Sequence, residues 1–218
     1  DVKHIVCNPG FWLIAVLCVL FYSCVFPFQK FASELMITKY QIDENLAGTI
    51  AGLPALGALF LTPVFGGMVD KRGKAASIMM LGAAMLIGVH CVYALPFITA
   101  SWVAIVLMIV LGIAFSLVPS AMWPSVAKIF SVNQLGTAYA LIFFIQNIGF
   151  WGIPTLIGFV LDNYCVVGTT DSGAKLYDYT LPMCIFTGIA ILSLIVAFML
   201  KAADRKYGYK LEEANIRK

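Results

Sequence analysis

The sequence predicts an all-α membrane protein with six transmembrane helices. Hydrophobic residues make up 61% of its 218 residues and charged residues only 11%, whereas a soluble domain usually carries about a quarter charged residues. The charges fall in short islands between apolar stretches of roughly 20 residues, the length that a helix needs to cross the hydrocarbon core of a bilayer. No stretch shows the alternating polarity of membrane-barrel strands, so helices are the expected spanning elements.

Six apolar stretches have this length. They run approximately over residues 11–31, 46–69, 75–96, 102–128, 134–161 and 179–202. We expect residues 10–203 to form the transmembrane domain, residues 1–9 to be the end of a cytoplasmic linker, and residues 204–218 to be a cytoplasmic tail. Because the chain begins with Asp1 rather than Met, we expect it to be an internal fragment, a processed product or a trimmed chain.

Basic residues are unevenly divided between the two sides of the predicted spans. One side carries eleven Lys and Arg residues and the other carries three. The larger set is Lys3, Lys71, Arg72, Lys74, Lys128, Lys201, Arg205, Lys206, Lys210, Arg217 and Lys218. Cytoplasmic loops carry the excess of basic residues, so both termini are predicted to be cytoplasmic. This topology signal accounts for the net charge of +3, and we expect no nucleic-acid partner.

Prolines divide the six spans into two similar triplets. Pro27 lies in span one, Pro54 in span two, Pro119 and Pro124 in span four, and Pro154 in span five. Spans three and six have prolines only at their ends. Because an internal proline removes a backbone hydrogen bond and bends a helix, the pattern predicts a 3+3 inverted repeat with the bent helices lining a pathway.

Polar side chains within the spans are candidates for lining that pathway, because polar groups facing lipid are costly. Gln146 and Asn147 lie near the middle of span five, and we interpret them as pathway residues. Bonding to neighbouring helices is the alternative interpretation, which we favour for Ser23, Ser116 and Ser120. His90 in span three is predicted to be a packed group, although a proton-carrying role stays open.

Enzymatic chemistry is not expected. The spans contain neither a carboxylate pair nor a cluster of His and Cys residues with ligand spacing, which an intramembrane enzyme would need. The six cysteines show no metal-type spacing, and a disulfide is conceivable only between Cys165 and Cys184. We expect no cofactor and no metal.

A short loop between spans two and three carries the most specific motif of the chain. Its motif residues are Gly66, Asp70, Lys71, Arg72, Gly73 and Lys74. A glycine at position 66 would allow close helix approach, and one at position 73 would permit a tight turn. The Asp70 carboxylate would lie near the positive end of a neighbouring helix.

This loop resembles the G-x-x-x-D-[RK]-x-G-[RK] signature of the major facilitator superfamily. The resemblance implies a secondary transporter in which the loop acts as a cytoplasmic latch; a turn that only sets topology is the alternative. Many N-terminal halves in the family carry an Arg in their fourth helix. Span four has none, so the resemblance implies the C-terminal half of a major facilitator fold.

Further matches resemble one branch of the superfamily, that of major facilitator superfamily domain-containing protein 1, a lysosomal dipeptide uniporter. The matching pieces are residues 25–28, 63–74, 123–127, 135–139 and 145–149. The resemblance implies a dipeptide or a similar small zwitterion as substrate. Since no N-x-S/T sequon occurs, we expect a bacterial relative in the inner membrane, or a lysosomal protein if the chain is eukaryotic.

The expected function is therefore that of half a transporter working by alternating access. Its predicted substrate pathway consists of Tyr22, Phe26, Gln29, Trp123, Gln146, Asn147 and Trp151. No Asp or Glu is predicted deep in a span, so ion coupling would lie in the other half or be absent. The expected partners are the bilayer, a small solute, and either a missing N-terminal half or a second copy. A non-transporting scaffold or receptor with this fold remains the alternative.

Overall fold

The structure, a computed structural model, describes residues 2–216 and contains six helices long and apolar enough to cross a membrane. The prediction of six spanning helices is confirmed. The helices are α1 (Val2–Val6), α2 (Pro9–Ser23), α3 (Phe26–Tyr40), α4 (Glu44–Arg72), α5 (Ala75–Ala94), α6 (Ser101–Ile129), α7 (Val132–Tyr164) and α8 (Thr180–Tyr207). Span one consists of α2 and α3, and α4 to α8 are spans two to six. Asp1, Arg217 and Lys218, which entered the predictions above, lie outside the described residues.

Span one is longer than predicted, because α3 continues to Tyr40 rather than ending near residue 31. Lys30 and Glu34 are exposed on this helix, whereas Leu35 and Met36 are fully buried. The first charged residue therefore marks where the helix surface becomes polar, not where the helix ends. Charge and helix termination are separate signals, and the sequence pattern shows only the first.

A short antiparallel hairpin adds two strands to the predicted all-α architecture. Strands β1 (Val166–Thr169) and β2 (Lys175–Tyr177) pair between α7 and α8. Gly173 takes a positive φ of 84° in the connecting turn, a conformation that costs glycine little. Asp162 at the end of α7 fastens the hairpin, since it pairs with Lys175 at 2.7 Å and accepts from the Tyr177 hydroxyl at 2.8 Å.

The packing order of the six spans has a two-fold pattern. Spans two and three (α4 and α5) both pack on span four (α6). In the same way, spans five and six (α7 and α8) both pack on span one (α2). The last spans of the two triplets, α5 and α8, pack on each other. Exchanging spans one to three for spans four to six reproduces these neighbours, with each helix reversed in direction. The contacts therefore agree with the 3+3 inverted repeat.

Gly57 and Gly112 bring α4 and α6 close together, whereas the G-x-x-x-G formed by Gly48 and Gly52 makes no such contact. A Cβ at Gly112 would lie 3.0 Å from the Pro54 Cα, whereas no described atom lies within 4 Å of one at Gly48 or Gly52. Much of α4 also faces outward: only 11% of its most apolar 18-residue stretch is buried, against 67% for span one. The close packing of α4 on α6 therefore depends on Gly112, and Gly48 and Gly52 lie on an open surface.

Candidate functional site

The candidate site is organised around a break in span one. Helix α2 ends at Ser23 and α3 begins at Phe26, with Pro27 in its first turn. Proline has no N–H and its ring crowds the preceding turn, so an internal proline bends or breaks a helix. Of the spans with internal prolines, only this one divides into two helices; α4, α6 and α7 continue through theirs.

His90 of α5 supports the break from behind. Its Nε2 lies 2.9 Å from the Cys24 carbonyl oxygen, and because a carbonyl only accepts, Nε2 carries the hydrogen. The ring stacks on Phe186 at 5.3 Å and meets the edge of Phe28 at 4.9 Å. His90 is fully buried, and Nδ1 has no hydrogen-bond partner among the described residues. This placement agrees with the predicted packing role.

Tyr22 and Trp123 connect span one to span four just before the break. The Trp123 indole N–H donates to the Tyr22 hydroxyl at 3.1 Å, and the two rings lie 6.4 Å apart. Tyr22 is buried, and Phe26 on the far side of the break stacks parallel to it at 5.8 Å. The structure therefore brings together three of the seven predicted pathway residues.

Four aromatic residues that were not predicted complete this cluster. Phe26 makes edge contacts with Phe115 at 5.1 Å and with Phe150 at 5.4 Å. Trp123 stacks on Phe143 at 4.9 Å, and its carbonyl accepts from the Tyr139 hydroxyl at 3.0 Å. We call the set the aromatic surface. It comprises Tyr22, Phe26, Phe115, Trp123, Tyr139, Phe143 and Phe150.

The aromatic surface is only partly covered by the chain. Phe26 is 37% exposed and Phe143 is 48% exposed. The residues of the aromatic surface on α7 could have been predicted from their spacing. Together with Gln146, they follow the i, i+4, i+7, i+11 pattern of one helix face, at Tyr139, Phe143, Gln146 and Phe150. The sequence does not say which neighbours that face meets.

The two predicted amides of span five point in different directions. Gln146 is buried, and its Oε1 accepts from the Cys18 thiol at 3.3 Å, so it faces α2 inside the bundle. Asn147 is exposed, and its Nδ2 donates to the Phe143 carbonyl of its own helix at 2.8 Å. A helix turns about 100° per residue, so adjacent amides cannot share one direction.

The remaining predicted pathway residues lie at the margins. Trp151 is 74% exposed and lies one helix turn beyond Asn147 on α7. Gln29 reaches from α3 toward α4, with its Nε2 3.5 Å from the Ala51 carbonyl. All six cysteines are free thiols, Cys165 and Cys184 included. Within residues 2–216, no group of three or more His, Cys, Asp or Glu side chains is placed to hold a metal ion.

The loop between α4 and α5 is the second candidate element. Gly73 ends α4 with φ 69°, and Lys74 follows with φ 62°, so the chain reverses within two residues. The Asp70 carboxylate accepts from the Asn215 amide at 2.6 Å. Gly66 does not mediate the expected close approach within this chain, because no described atom lies within 4 Å of a Cβ placed there. Lys71 and Arg72 are exposed.

Comparisons with known proteins agree with this architecture. The sequence profile of the Major Facilitator Superfamily matches residues 11–215. The chain is 35% identical over 162 residues to the lysosomal dipeptide transporter MFSD1 of Gallus gallus, covering 74% of this chain and 35% of that protein. It is 31% identical over 199 residues to the same transporter of Mus musculus, covering 91% of this chain and 39% of that protein.

A solved structure shares the fold at low sequence identity. The crystal structure of the peptide transporter POT (E310Q mutant) in complex with sulfate superposes with a TM-score of 0.73 and 16% identity, covering 94% of this chain and 40% of that one. The chain therefore spans less than half the length of the relatives that it matches. With six spans, a 3+3 packing order and a match over nearly its full length, this multi-pass membrane chain belongs to the major facilitator superfamily.

Proposed function

We propose that this chain is the C-terminal half of a secondary active or facilitative transporter that moves a small organic solute, with a dipeptide as the candidate. Alternating access would come from rocking of this half against an N-terminal half around a midplane site. The partly open aromatic surface at the break in span one carries the proposal, and the similarity to dipeptide transporters supports the choice of substrate.

The residues of the aromatic surface suit such a substrate. Phe26 and Phe143 offer exposed ring faces for an apolar side chain, and Trp123 with Tyr22 fixes the geometry beneath them. The Asn147 amide, next to Gln146 in the sequence, is exposed and supplies polar contacts for the peptide backbone. Gln146 acts indirectly, by holding α7 against Cys18 of α2.

We also propose the setting in which this half works. The excess of basic residues on one side of the spans supports cytoplasmic termini, and a bacterial inner membrane is the proposed location. The missing charges for ion coupling would come from the partner half, or transport would be uncoupled. Without that half, the outward-facing surfaces of α4 and α7 would drive the chain to pair with itself.

Transport assays on the full-length protein test this function. Purified protein is reconstituted in liposomes, and uptake and counterflow of a radiolabelled dipeptide are measured. Phe26→Ala is expected to raise KM about tenfold, the equivalent of about 1.4 kcal/mol of lost aromatic contact. Phe198→Ala, the same exchange at an exposed position on α8, serves as the control and should leave KM unchanged.

The outcomes separate the alternatives. Saturable flux with counterflow supports a carrier, whereas reconstituted protein that binds but never moves a dipeptide would favour the scaffold function. Asn147→Leu is expected to raise KM, and Gln146→Leu to lower stability with little change in KM. If transport and binding were unchanged at equal expression in the double variant, neither residue would belong to the site.

A further inference from the structure

The segment that follows α8 folds back over one end of the bundle. We call residues 209–216 the strap. The Lys128 ammonium at the end of α6 donates to the Lys210 carbonyl at 3.0 Å and to the Glu213 carbonyl at 2.6 Å. The Asp204 carboxylate of α8 accepts from the Leu211 N–H at 2.9 Å, and Leu211 is fully buried. The strap is therefore docked, with two helices holding it.

The strap caps the start of α5. Helix N-termini expose N–H groups that need acceptors, and the N-cap residue Lys74 supplies none from its side chain. The Lys74 and Ala75 N–H groups donate instead to the Glu212 and Leu211 carbonyls at 3.0 and 3.1 Å. The Glu212 carboxylate accepts from the Ser77 N–H at 2.9 Å and from its hydroxyl at 2.6 Å. A carboxylate also suits the positive end of the helix dipole.

The strap also caps the end of α4. The Asp70 carbonyl, which has no partner further along its own helix, accepts from the N–H groups of Asn215 and Ile216, both at 3.0 Å. The Asn215 side chain holds the Asp70 carboxylate as well, at 2.6 Å. Both helix ends that flank the loop are thus satisfied by one segment more than 130 residues later in the chain.

Gly73 is shaped by the same contact. A Cβ at this position would lie 2.5 Å from the Glu212 carbonyl oxygen and 2.5 Å from the Glu213 carbonyl carbon. Backbone atoms cannot move aside as side-chain ends can, so any other residue would push the strap away. The glycine of the motif therefore permits strap docking in addition to the turn.

We propose that the strap is a positioning element for the loop: it caps the facing ends of α4 and α5 and fixes the orientation of the Asp70 carboxylate. Its effect on transport rests on the proposed alternating access and on the latch role that the family resemblance implies for this loop. Because the strap is held by α6 and α8, a loop fixed to the strap moves together with them. The ends of α4, α5, α6 and α8 would then move as one rigid body.

Hydrogen–deuterium exchange on the full-length protein tests the docking without reference to transport. Replacing residues 211–216 with a Gly/Ser segment of equal length, or introducing Asn215→Asp, is expected to speed exchange at residues 74–78 at least tenfold. Combining Asp70→Asn with Asn215→Asp restores an amide–carboxylate pair and should return the protection. Asn163→Asp, at an exposed amide at the far end of α7, is the control. Unchanged exchange in the replaced strap would overturn the proposal.

Transport kinetics test the consequence. The strap replacement is expected to lower the maximal rate several-fold with KM unchanged, because the aromatic surface is not touched. A higher maximal rate would show inhibition by the strap and overturn the positioning role, as would a change in KM alone. If the wild-type protein carries no dipeptide, the proposed function fails, and the exchange experiment alone then decides whether the strap positions the loop.

Discussion

Several buried polar residues in this chain are explained by the backbone groups that they satisfy, although the buried Ser23 hydroxyl has no hydrogen-bond partner among the described residues. Ser116, Ser120 and Ser125 each donate to the carbonyl four residues earlier at 2.7 Å, so α6 holds them and they need no substrate. His90 satisfies a carbonyl at the break of span one in the same way. Polarity inside a span therefore identifies groups that need a partner and does not by itself identify a pathway.

His90 provides the test at this scale. His90→Phe keeps an aromatic ring against Phe28 and Phe186 but leaves the buried Cys24 carbonyl without a donor, so we expect a loss of about 1–3 kcal/mol in the free energy of unfolding. His90→Gln retains a donor and should recover part of this loss. Denaturant unfolding in detergent measures both.

Transport separates the two roles of this histidine. Because the structure gives His90 a supporting role, the Gln variant should still transport when correctly folded. Abolished transport in a folded Gln variant would instead indicate a proton carrier, and a Phe variant as stable as the wild type would refute the supporting hydrogen bond.

At the scale of elements, the helix pairs are positioned by a few close contacts. The packing of α4 on α6 depends on Gly112, which faces the backbone of α4 at Pro54. Gly149 plays the same part for α7 and α2, since its Cβ would lie 2.8 Å from Val19 Cγ1. Small residues allow such approach between membrane helices.

Replacing Gly112 with a larger residue should push α4 and α6 apart. Gly112→Val introduces three carbons against immobile backbone, and overpacking of this kind costs about 1–3 kcal/mol of stability. Gly88→Val is the matched control, because no described atom lies within 4 Å of a Cβ there. Unfolding midpoints in detergent compare them. Equal destabilisation by both changes would contradict the close contact.

At the scale of the whole molecule, the strap joins the two ends of the described chain. The Tyr209 hydroxyl donates to the Asn8 side chain at 2.8 Å and accepts from the Gly10 N–H at 3.2 Å. Glu212 pairs with Lys201 at 3.6 Å, and Lys201 also donates to Ser77 at 2.6 Å. Residues far apart in sequence thus hold one end of the bundle together.

This arrangement predicts an acid-sensitive strap. Burial by itself raises the pKa of Glu212, but the hydrogen bonds from Ser77 and the charge of Lys201 outweigh it and hold the pKa below its ordinary value. A depressed carboxyl pKa stabilises the folded state above the ordinary pKa of about 4.3, and the contribution is lost as pH falls through the lower folded value.

The comparison with Glu212→Gln isolates this contribution. The wild type should be more stable than the variant at neutral pH, by about 1 kcal/mol because the carboxylate is partly exposed. The difference should shrink as the pH falls below about 4.3. Denaturant midpoints from pH 7 to 3 measure it. A difference that stays constant with pH would show that the charge of Glu212 contributes nothing.

The sequence by itself determined the six spans, the paired-triplet organisation and the loop motif. Each depends on residues near one another along the chain: hydropathy over about 20 residues, prolines within a helix, or a nine-residue turn. A bend in span one could be placed at Pro27 for the same reason, but the sequence did not show that this span alone divides into two helices. The end of α3 could not be placed from the sequence, because an exposed charged residue does not end a helix.

Only the tertiary structure decided which side chains converge. Whether Gln146 or Asn147 faces the bundle depends on the rotation of α7 against α2, which is set by contacts such as Gly149 with Val19. The aromatic surface joins three spans, and the strap meets the loop across more than 130 residues of chain. The free energy of inserting a helix into a bilayer depends on residues that are close together in sequence. The relative placement of the helices depends instead on packing and hydrogen bonds between distant residues.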